Sequence, residues 1–246
     1  MPTQDLNNDL LAAAERGDTA TVRALLAKGA DVNAQSGMGG NTALVLAVLS
    51  GDADTTQALL DKDADTEVKV GLGMTALMQA GRRTMLLLLA KGANVNAKDN
   101  EGKTVLMWAV DPQLSGSIEK VQALLEKGAD VNAKDNNGRT ALMWALSGHE
   151  RFVSDIFNPP IVQLLLEKGA DVNAQDNRGQ TVLMEVVSFW ANAKFSAEPL
   201  FSPLVKELIA RGADVNAKDP NGKTALMRAQ KNPKIVRLLK KNGAKM

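Results

Sequence analysis

The chain has 246 residues, 29 basic and 28 acidic side chains and a net charge of +1. This balance excludes a global attraction to nucleic acid or to an anionic membrane, and the absence of cysteine excludes disulfides, thiolate metal sites and cysteine nucleophiles. Aromatic residues are scarce, with five Phe, three Trp and no Tyr. A domain with one compact core normally relies on aromatic side chains for packing, so this composition indicates an interior built in another way.

The N-terminal residues contain neither a basic segment nor an apolar one, which predicts that no signal peptide is present. The longest strongly apolar run, Met85 to Ala90, is too short to cross a bilayer. We therefore expect a cytoplasmic protein with no membrane partner.

Two short motifs recur along the chain. Gly-Ala-Asp-Val-Asn-Ala occurs four times, with a close variant at Gly92–Ala97 and a degenerate copy at Asp63–Val68. A second motif, Thr-(Ala/Val)-Leu-Met-x-(Ala/Val), lies between these copies, and its first member has Val in place of Met. Self-similarity at a fixed spacing is typical of proteins built from stacked units. The motif threonines are Thr42, Thr75, Thr104, Thr140, Thr181 and Thr224.

This pair of motifs resembles the ankyrin repeat family, whose unit of about 33 residues is a turn followed by two helices. The resemblance covers essentially the whole chain. It implies an all-α ankyrin-type solenoid of seven helix pairs, with β-hairpin-like connecting turns, forming a single domain over residues 1–246. The predicted pairs are 6–28 (the N-terminal cap), 42–62, 75–91, 104–127, 140–168, 181–211 and 224–242 (the C-terminal cap).

The predicted helix ends have local signals. Each glycine of the first motif follows a leucine-rich stretch that ends, in five copies, in Lys or Arg, as at the C-terminus of a helix with glycine just beyond it. Three second helices are predicted to begin with a capping residue followed by proline, at Asn158-Pro159, Ser202-Pro203 and Asn232-Pro233.

Methionine replaces the histidine of the family signature. In the family that histidine hydrogen-bonds between repeats, which a thioether cannot reproduce. We interpret this column as packing between repeats, because a surface column would vary from copy to copy; an adaptable methionine surface is the alternative. The column consists of Met78, Met107, Met143, Met184 and Met227.

The distance between the two motifs is short in the third pair, after Gly81, and long in the next three. Extra residues are predicted between the helices of these pairs, along one edge, at about 111–117, 147–160 and 188–203. Aromatic residues concentrate in the last two insertions. They either pack together as a satellite cluster or form exposed anchors for a partner, since aromatics are enriched in binding hot spots. This insertion edge contains Phe152, Phe157, Phe189, Trp190, Phe195 and Phe201.

A second candidate surface is the concave face, which the resemblance assigns to the first helices and hairpin tips. The position after the methionine column varies in chemistry, and a buried column could hardly hold Gln, Glu and Arg without partners, so we expect it to face solvent in part. Its tryptophans are either an anchor pair or inter-repeat packing, and its last two members are an expected ion pair. The column consists of Leu46, Gln79, Trp108, Trp144, Glu185 and Arg228.

The position before each motif threonine also varies, and it extends the candidate concave surface through Lys103, Arg139 and Gln180. The turn at 68–74 differs from the others because it lacks Asp-Asn and alternates apolar residues from Val68 to Met74. Alternation of this kind is strand-like. We expect a repacked, partly buried tip; an apolar contact site and an aggregation-prone segment are the alternatives.

No catalytic motif is present. Gly102-Lys-Thr104 and Gly222-Lys-Thr224 lack the upstream glycine of a phosphate-binding loop, and one histidine without cysteine offers few metal sites. We therefore expect no enzyme, no cofactor and no metal, and predict a scaffold that binds another protein through the concave face or the insertion edge. One alternative is a structural or self-associating protein that forms homo-oligomers. A weaker one is nucleic-acid contact through the C-terminal cap, which has seven basic and no acidic side chains from Arg228 onward.

Overall fold

The structure, a computed structural model, describes residues 3–37, 40–111, 117–146, 159–192, 198–229 and 232–245. The chain divides into two compact units. The first unit is Met1–Ala109 with Glu119–Asp130, and the second is Val110–Ile118 with Val131–Met246. The expected single domain over 1–246 stays a prediction.

Helices come in pairs along the first unit, as predicted. The third pair is the shortest, because α5 is a single turn and α6 begins directly after Gly81. The helices are α1 (Thr3–Glu15), α2 (Thr19–Ala27), α3 (Ala43–Ser50), α4 (Ala53–Leu60), α5 (Ala76–Gln79), α6 (Arg82–Ala90), α7 (Val105–Val110) and α8 (Ile118–Glu126). The last residue of α7 and the first residue of α8 belong to the second unit.

The second unit contains three further pairs. The predicted second-helix starts at Pro159 and Pro233 are confirmed, and Asn232 Oδ1 accepts the backbone N–H groups of Lys234 and Ile235 as a helix cap. The helices are α9 (Ala141–Leu146), α10 (Pro159–Glu167), α11 (Val182–Asn192), α12 (Glu198–Ala210), α13 (Ala225–Arg228) and α14 (Pro233–Lys241).

The predicted helix start at Ser202-Pro203 is wrong, because α12 begins at Glu198 and Pro203 lies inside it. A proline there removes a backbone hydrogen bond, and the burial of Val205 and Leu208 on the same helix offsets that loss. The insertion predicted at 188–203 is helical over 188–192 and 198–203, and residues 193–197 lie outside the described residues. Most of its residues lengthen α11 and α12.

The other two insertions lie mostly outside the described residues, at 112–116 and 147–158. Their flanks agree with the prediction, since α7 ends at Val110 and α10 begins at Pro159. Phe152 with Ile156 and Val153 with Phe157 are spaced four residues apart, which predicts an extra helical turn or two, and this stretch also lies outside the described residues.

The motif threonine begins the first helix of a pair. Thr104 Oγ1 accepts the backbone N–H of Met107, and Thr181 Oγ1 accepts that of Met184, both at 3.3 Å. Such caps satisfy donors that have no partner inside the helix. The methionines three residues further on are buried in four copies, which confirms their packing role. Met227, in the last pair, is the exception at 38% exposed.

The asparagine of the first motif links consecutive repeats within each unit. In the first unit Asn96 Oδ1 accepts the backbone N–H of Asp130 at 2.8 Å and its Nδ2 donates to Gly128 O at 3.1 Å. In the second unit Asn173 makes the same two bonds, to Asp214 and Gly212. Backbone groups of the turns are thereby paired, so the recurring asparagine serves the fold.

Candidate functional site

Four turns are centred on an aspartate five residues before the motif threonine. Each aspartate is more than nine-tenths buried. In one of these turns Asp135 Oδ1 accepts the backbone N–H groups of Asn137 at 2.8 Å and Arg139 at 2.9 Å. A buried carboxylate requires such donors, so the aspartate pairs the backbone N–H groups of its own turn. The four residues are Asp99, Asp135, Asp176 and Asp219.

The second oxygen of three of these carboxylates accepts a hydrogen bond from the variable column, nine residues further along the chain. The indole N–H of Trp108 donates to Asp99 at 3.0 Å, and that of Trp144 donates to Asp135 at 2.9 Å. Arg228 Nη2 donates to Asp219 Oδ2 at 2.7 Å. Each of these column residues is therefore oriented by the turn of its own repeat.

Asp219 has an altered acidity. The backbone N–H of Lys223 is the largest cause, and the N–H of Asn221 and the Arg228 guanidinium add to it. Burial opposes these effects, yet the pKa of Asp219 is held below its usual value of 3.8. The carboxylate is therefore ionised when it holds Arg228 in place.

A cation covers each tryptophan of the column. Lys103 Nζ lies 3.8 Å from the centroid of the Trp108 ring, and Arg139 Cζ lies 4.7 Å from that of Trp144. Both are cation–π contacts. Lys103 is only 4% exposed, which corrects its assignment as a partner-binding residue, because its side chain is buried in this contact.

Arg139 also joins two repeats of the second unit. Its Nη2 lies 3.2 Å from Glu185 Oε1, and less than a quarter of either side chain is exposed. The expected ion pair of Glu185 with Arg228 is replaced by two others. Arg228 pairs with Asp219 in its own repeat, and Glu185 pairs with Arg139 in the preceding repeat.

All six members of the variable column are half-buried, which confirms that the column faces solvent in part. Gln180 is half-buried too, and its Nε2 donates to Arg178 O at 3.3 Å. Trp108 belongs to the first unit and Trp144 to the second, so their action as an anchor pair stays a prediction.

Of the two alternatives for the insertion edge, packing rather than exposure agrees with the burial of Trp190 and Phe201. Trp190 on α11 and Phe201 on α12 are 4% and 3% exposed, and these two lengthened helices pack on each other. Neither residue is an exposed anchor, because burial of large apolar rings between the helices is favourable. Phe189 is half-buried. Phe152, Phe157 and Phe195 lie outside the described residues.

The turn before α5 lacks the aspartate, since Val70 occupies its position and is buried. Leu72 at the tip is 64% exposed, so the tip is only partly buried, as expected. Two polar atoms of this repeat, Thr75 Oγ1 and Gln79 Nε2, are buried without a hydrogen-bond partner in the described chain. These two unpaired atoms were not predicted from the sequence. The valine five residues before Thr75 was the available signal, because it leaves Gln79 without an aspartate acceptor.

The three turns of the second unit form what we call the tip row, residues 134–139, 175–180 and 218–223. Lys134 Nζ donates to Gln175 O at 2.8 Å, and Gln175 Nε2 donates to Lys218 O at 3.3 Å. A Cβ on Gly138 would lie 2.5 Å from Asn177 Oδ1, so neighbouring tips touch closely. The row is a continuous hydrogen-bonded surface within its unit.

Two negative findings concern the described part of the chain. No helix there is long and apolar enough to cross a membrane. Within the same ranges, no group of three or more His, Cys, Asp or Glu side chains is placed to hold a metal ion.

Paired helices joined by aspartate-centred turns define an all-α repeat protein. The family model for ankyrin repeats matches residues 10–99, 81–173 and 152–246. The chain therefore belongs to the ankyrin repeat family. Ankyrin repeats generally mediate protein–protein interaction, and proteins of this family are typically non-catalytic scaffolds.

Solved structures agree with this fold. The chain is similar to the ankyrin repeat domain of Bcl-3, a member of the IkappaB protein family, with a TM-score of 0.77 and 28% identity. The similarity covers 94% of this chain and 97% of that one. No curated protein sequence matches the chain.

Proposed function

We propose that this protein is a non-catalytic scaffold whose partner docks on the turns and first helices. The observation that carries the proposal is the contrast between frame and column. The threonine caps, buried leucines and turn aspartates repeat, whereas the half-buried column changes from Trp to Glu to Arg. The repeat fold does not explain why the residues of this column differ, and solvent reaches them. A partner can therefore recognise them.

Trp144 is the centre of the proposed site in the second unit. Its ring is oriented by Asp135 and covered by Arg139, which itself contacts Glu185 in the next repeat. Aromatic and arginine side chains held rigidly in this way lose little entropy on binding and dominate interface energetics. Trp108, held by Asp99, is the corresponding centre in the first unit.

The test is affinity purification from the native host with three variants. Trp144→Ala removes the ring, Trp144→Phe keeps a ring without the indole N–H, and Leu86→Ala is the matched control. Leu86 is an exposed apolar residue on the second helix α6. We expect the partner to be lost with Trp144→Ala, reduced with Trp144→Phe and retained with Leu86→Ala, all three variants being folded by circular dichroism.

Retention of every partner by both tryptophan variants would reject this site. Loss from all three variants alike would assign the binding to overall stability rather than to the column.

Self-association remains the second candidate, favoured by Met227. It is exposed in the last repeat, while its four counterparts are buried. An exposed apolar residue in a packing column is where a further unit can stack. Light scattering tests this candidate, which predicts a dimer mass that Met227→Lys reduces to the monomer mass; a monomer mass for the wild type rejects it.

A further inference from the structure

The tip row has an unusual charge pattern. Its acidic residues are the three turn aspartates, and these are buried and bonded to backbone N–H groups of their own turns. Four of its five cations are exposed and Arg139 is half-buried; of the exposed ones, Lys134 Nζ donates to Gln175 O and Arg178 Nε lies 3.5 Å from Asp176 Oδ2. The exposed cations are Lys134, Arg178, Lys218 and Lys223.

The turns of the first unit lack this pattern. The turn at 35–41 has no charged residue, and the turn at 68–74 has a single lysine. In the turn at 98–103 the exposed Glu101 offsets the exposed Lys98, while Lys103 is buried. The excess of positive charge is therefore a property of one set of turns and does not follow from the repeat.

The cations of the tip row are held on a rigid surface. Asn177 donates its backbone N–H to Asn137 O and its Nδ2 to Asn136 O, both at 2.9 Å, which fixes the first tip to the second. Gln175 fixes the second tip to the third through Lys218 O. A partner therefore meets cations carried on a backbone that is already ordered, which lowers the cost of ordering the turns on binding.

We infer that the tip row binds an acidic segment of a polypeptide partner. The inference rests on the proposed function and adds the partner's chemistry to it. Carboxylates spaced along an extended chain would pair with the exposed cations, and complementary charge of this kind speeds association and excludes basic partners.

The surroundings favour a polypeptide over a single-stranded nucleic acid. Single strands bind through bases stacked on open aromatic rings, and Trp144, next to the row, has Arg139 over its ring. The tips instead offer the carboxamides of Asn137 and Asn221, which suit the N–H and C=O groups of a peptide backbone.

The experiment is a fluorescence-anisotropy titration of the full chain with a labelled alternating Gly-Glu peptide. The test variant is Arg178→Glu/Lys218→Glu/Lys223→Glu. The matched control is Lys62→Glu/Lys69→Glu/Arg83→Glu, which changes the net charge equally at three exposed cations of the first unit. An alternating Gly-Gln peptide and an oligothymidylate serve as comparison probes.

We expect the test variant to bind the acidic peptide about tenfold more weakly than the wild type, since three surface ion pairs of modest energy are lost and reversed. The control should bind almost as well as the wild type, and the neutral peptide should not bind. Equal loss in both variants, absence of binding by the wild type, or tighter binding of oligothymidylate to the same row would each overturn the inference.

The proposed function is tested independently of this inference. If the acidic peptide fails while Trp144→Ala still abolishes capture of the native partner, the partner's chemistry is wrong and the docking surface remains. If the peptide binds at the tip row while Trp144→Ala retains the native partner, the charge inference holds and the proposed centre of the site is wrong.

Discussion

The turn before α5 in the first unit and the turn before α9 in the second share a backbone but differ in chemistry. Val70 N donates to Met74 O at 2.9 Å, just as Asp135 N donates to Arg139 O at 3.0 Å. Both turns place a glycine with positive φ before the last residue, Gly73 at 82° and Gly138 at 75°. Only the second has a carboxylate that binds its own N–H groups and the indole of the column.

This difference distinguishes the features that the turn backbone requires from those that orient the side chains on its surface. The backbone turn forms with valine, so the aspartate is not required for its shape. Where the aspartate is absent, however, Gln79 Nε2 has no partner in the described chain, whereas Trp144 in the same column donates to Asp135. The aspartate therefore serves mainly to satisfy and orient side chains at the turn and first helix, where the proposed partner docks.

The largest expected effect comes from giving the second unit the residue of the first. Asp135→Val removes the acceptor of two backbone N–H groups and of the Trp144 indole. We expect the free energy of unfolding to fall by about 3 kcal/mol, because buried donors lose a charged acceptor. Urea denaturation measures this change. The control is Val70→Ala, which removes apolar contacts and no hydrogen bond; a loss for Asp135→Val below that of the control would break the comparison.

The caps of the first helices should differ in the same sense. Thr181 Oγ1 accepts the N–H of Met184, whereas Thr75 makes no cap hydrogen bond. Thr181→Val should cost about 1 kcal/mol, while Thr75→Val should leave the stability unchanged or raise it. The two thermal unfolding midpoints decide the matter, and equal losses at both positions would contradict the assignment.

Gln79 offers a change in the opposite direction. Its buried Nε2 has no acceptor in the described chain, and the same column holds an apolar residue, Leu46, in the preceding repeat. Gln79→Leu should therefore stabilise the protein by about 1 kcal/mol, because a buried unpaired donor is removed. A lower midpoint in urea than the wild type would show that the amide is satisfied in solution.

The smallest effect concerns pH. The pKa values of Asp219 in the second unit and Asp52 in the first are both lowered from 3.8, chiefly by the backbone N–H groups of Lys223 and Thr55 respectively. A lowered folded pKa contributes stability that is present above 3.8 and is lost as the pH falls through the folded value. Asp219→Asn should thus be less stable than the wild type at neutral pH. The difference should shrink as the pH falls through the lowered pKa of Asp219; a difference that persists unchanged under strongly acidic conditions would contradict the linkage.

Much of the fold was predictable because the same helix and turn signals recur in successive repeats. Six copies of Thr-(Ala/Val)-Leu place the first helices, and proline after asparagine places the start of α14 at Pro233. Pro203 misled because its local signal is the same as at Pro233, and only the burial of neighbouring residues in α12 shows that the helix continues through it.

The candidate site was predictable only as a set of positions. The variation in residue type identified the half-buried column. It did not identify the partners of Trp144 and Arg228, which are aspartates nine residues earlier. A sequence also does not state that Lys103 is buried against Trp108, since an isolated lysine before a helix is typical of a surface residue. Side-chain packing settles these cases, and periodicity does not encode it.

The most direct test of the account is hydrogen–deuterium exchange of the chain with and without its captured partner. Docking on the turns and first helices predicts slower exchange at the tip row and in α9, while the second helices α10 and α12 exchange as in the free protein. Protection confined to those second helices, with the tip row unchanged, would contradict the central claim that the varied turn and first-helix positions are where this repeat frame binds.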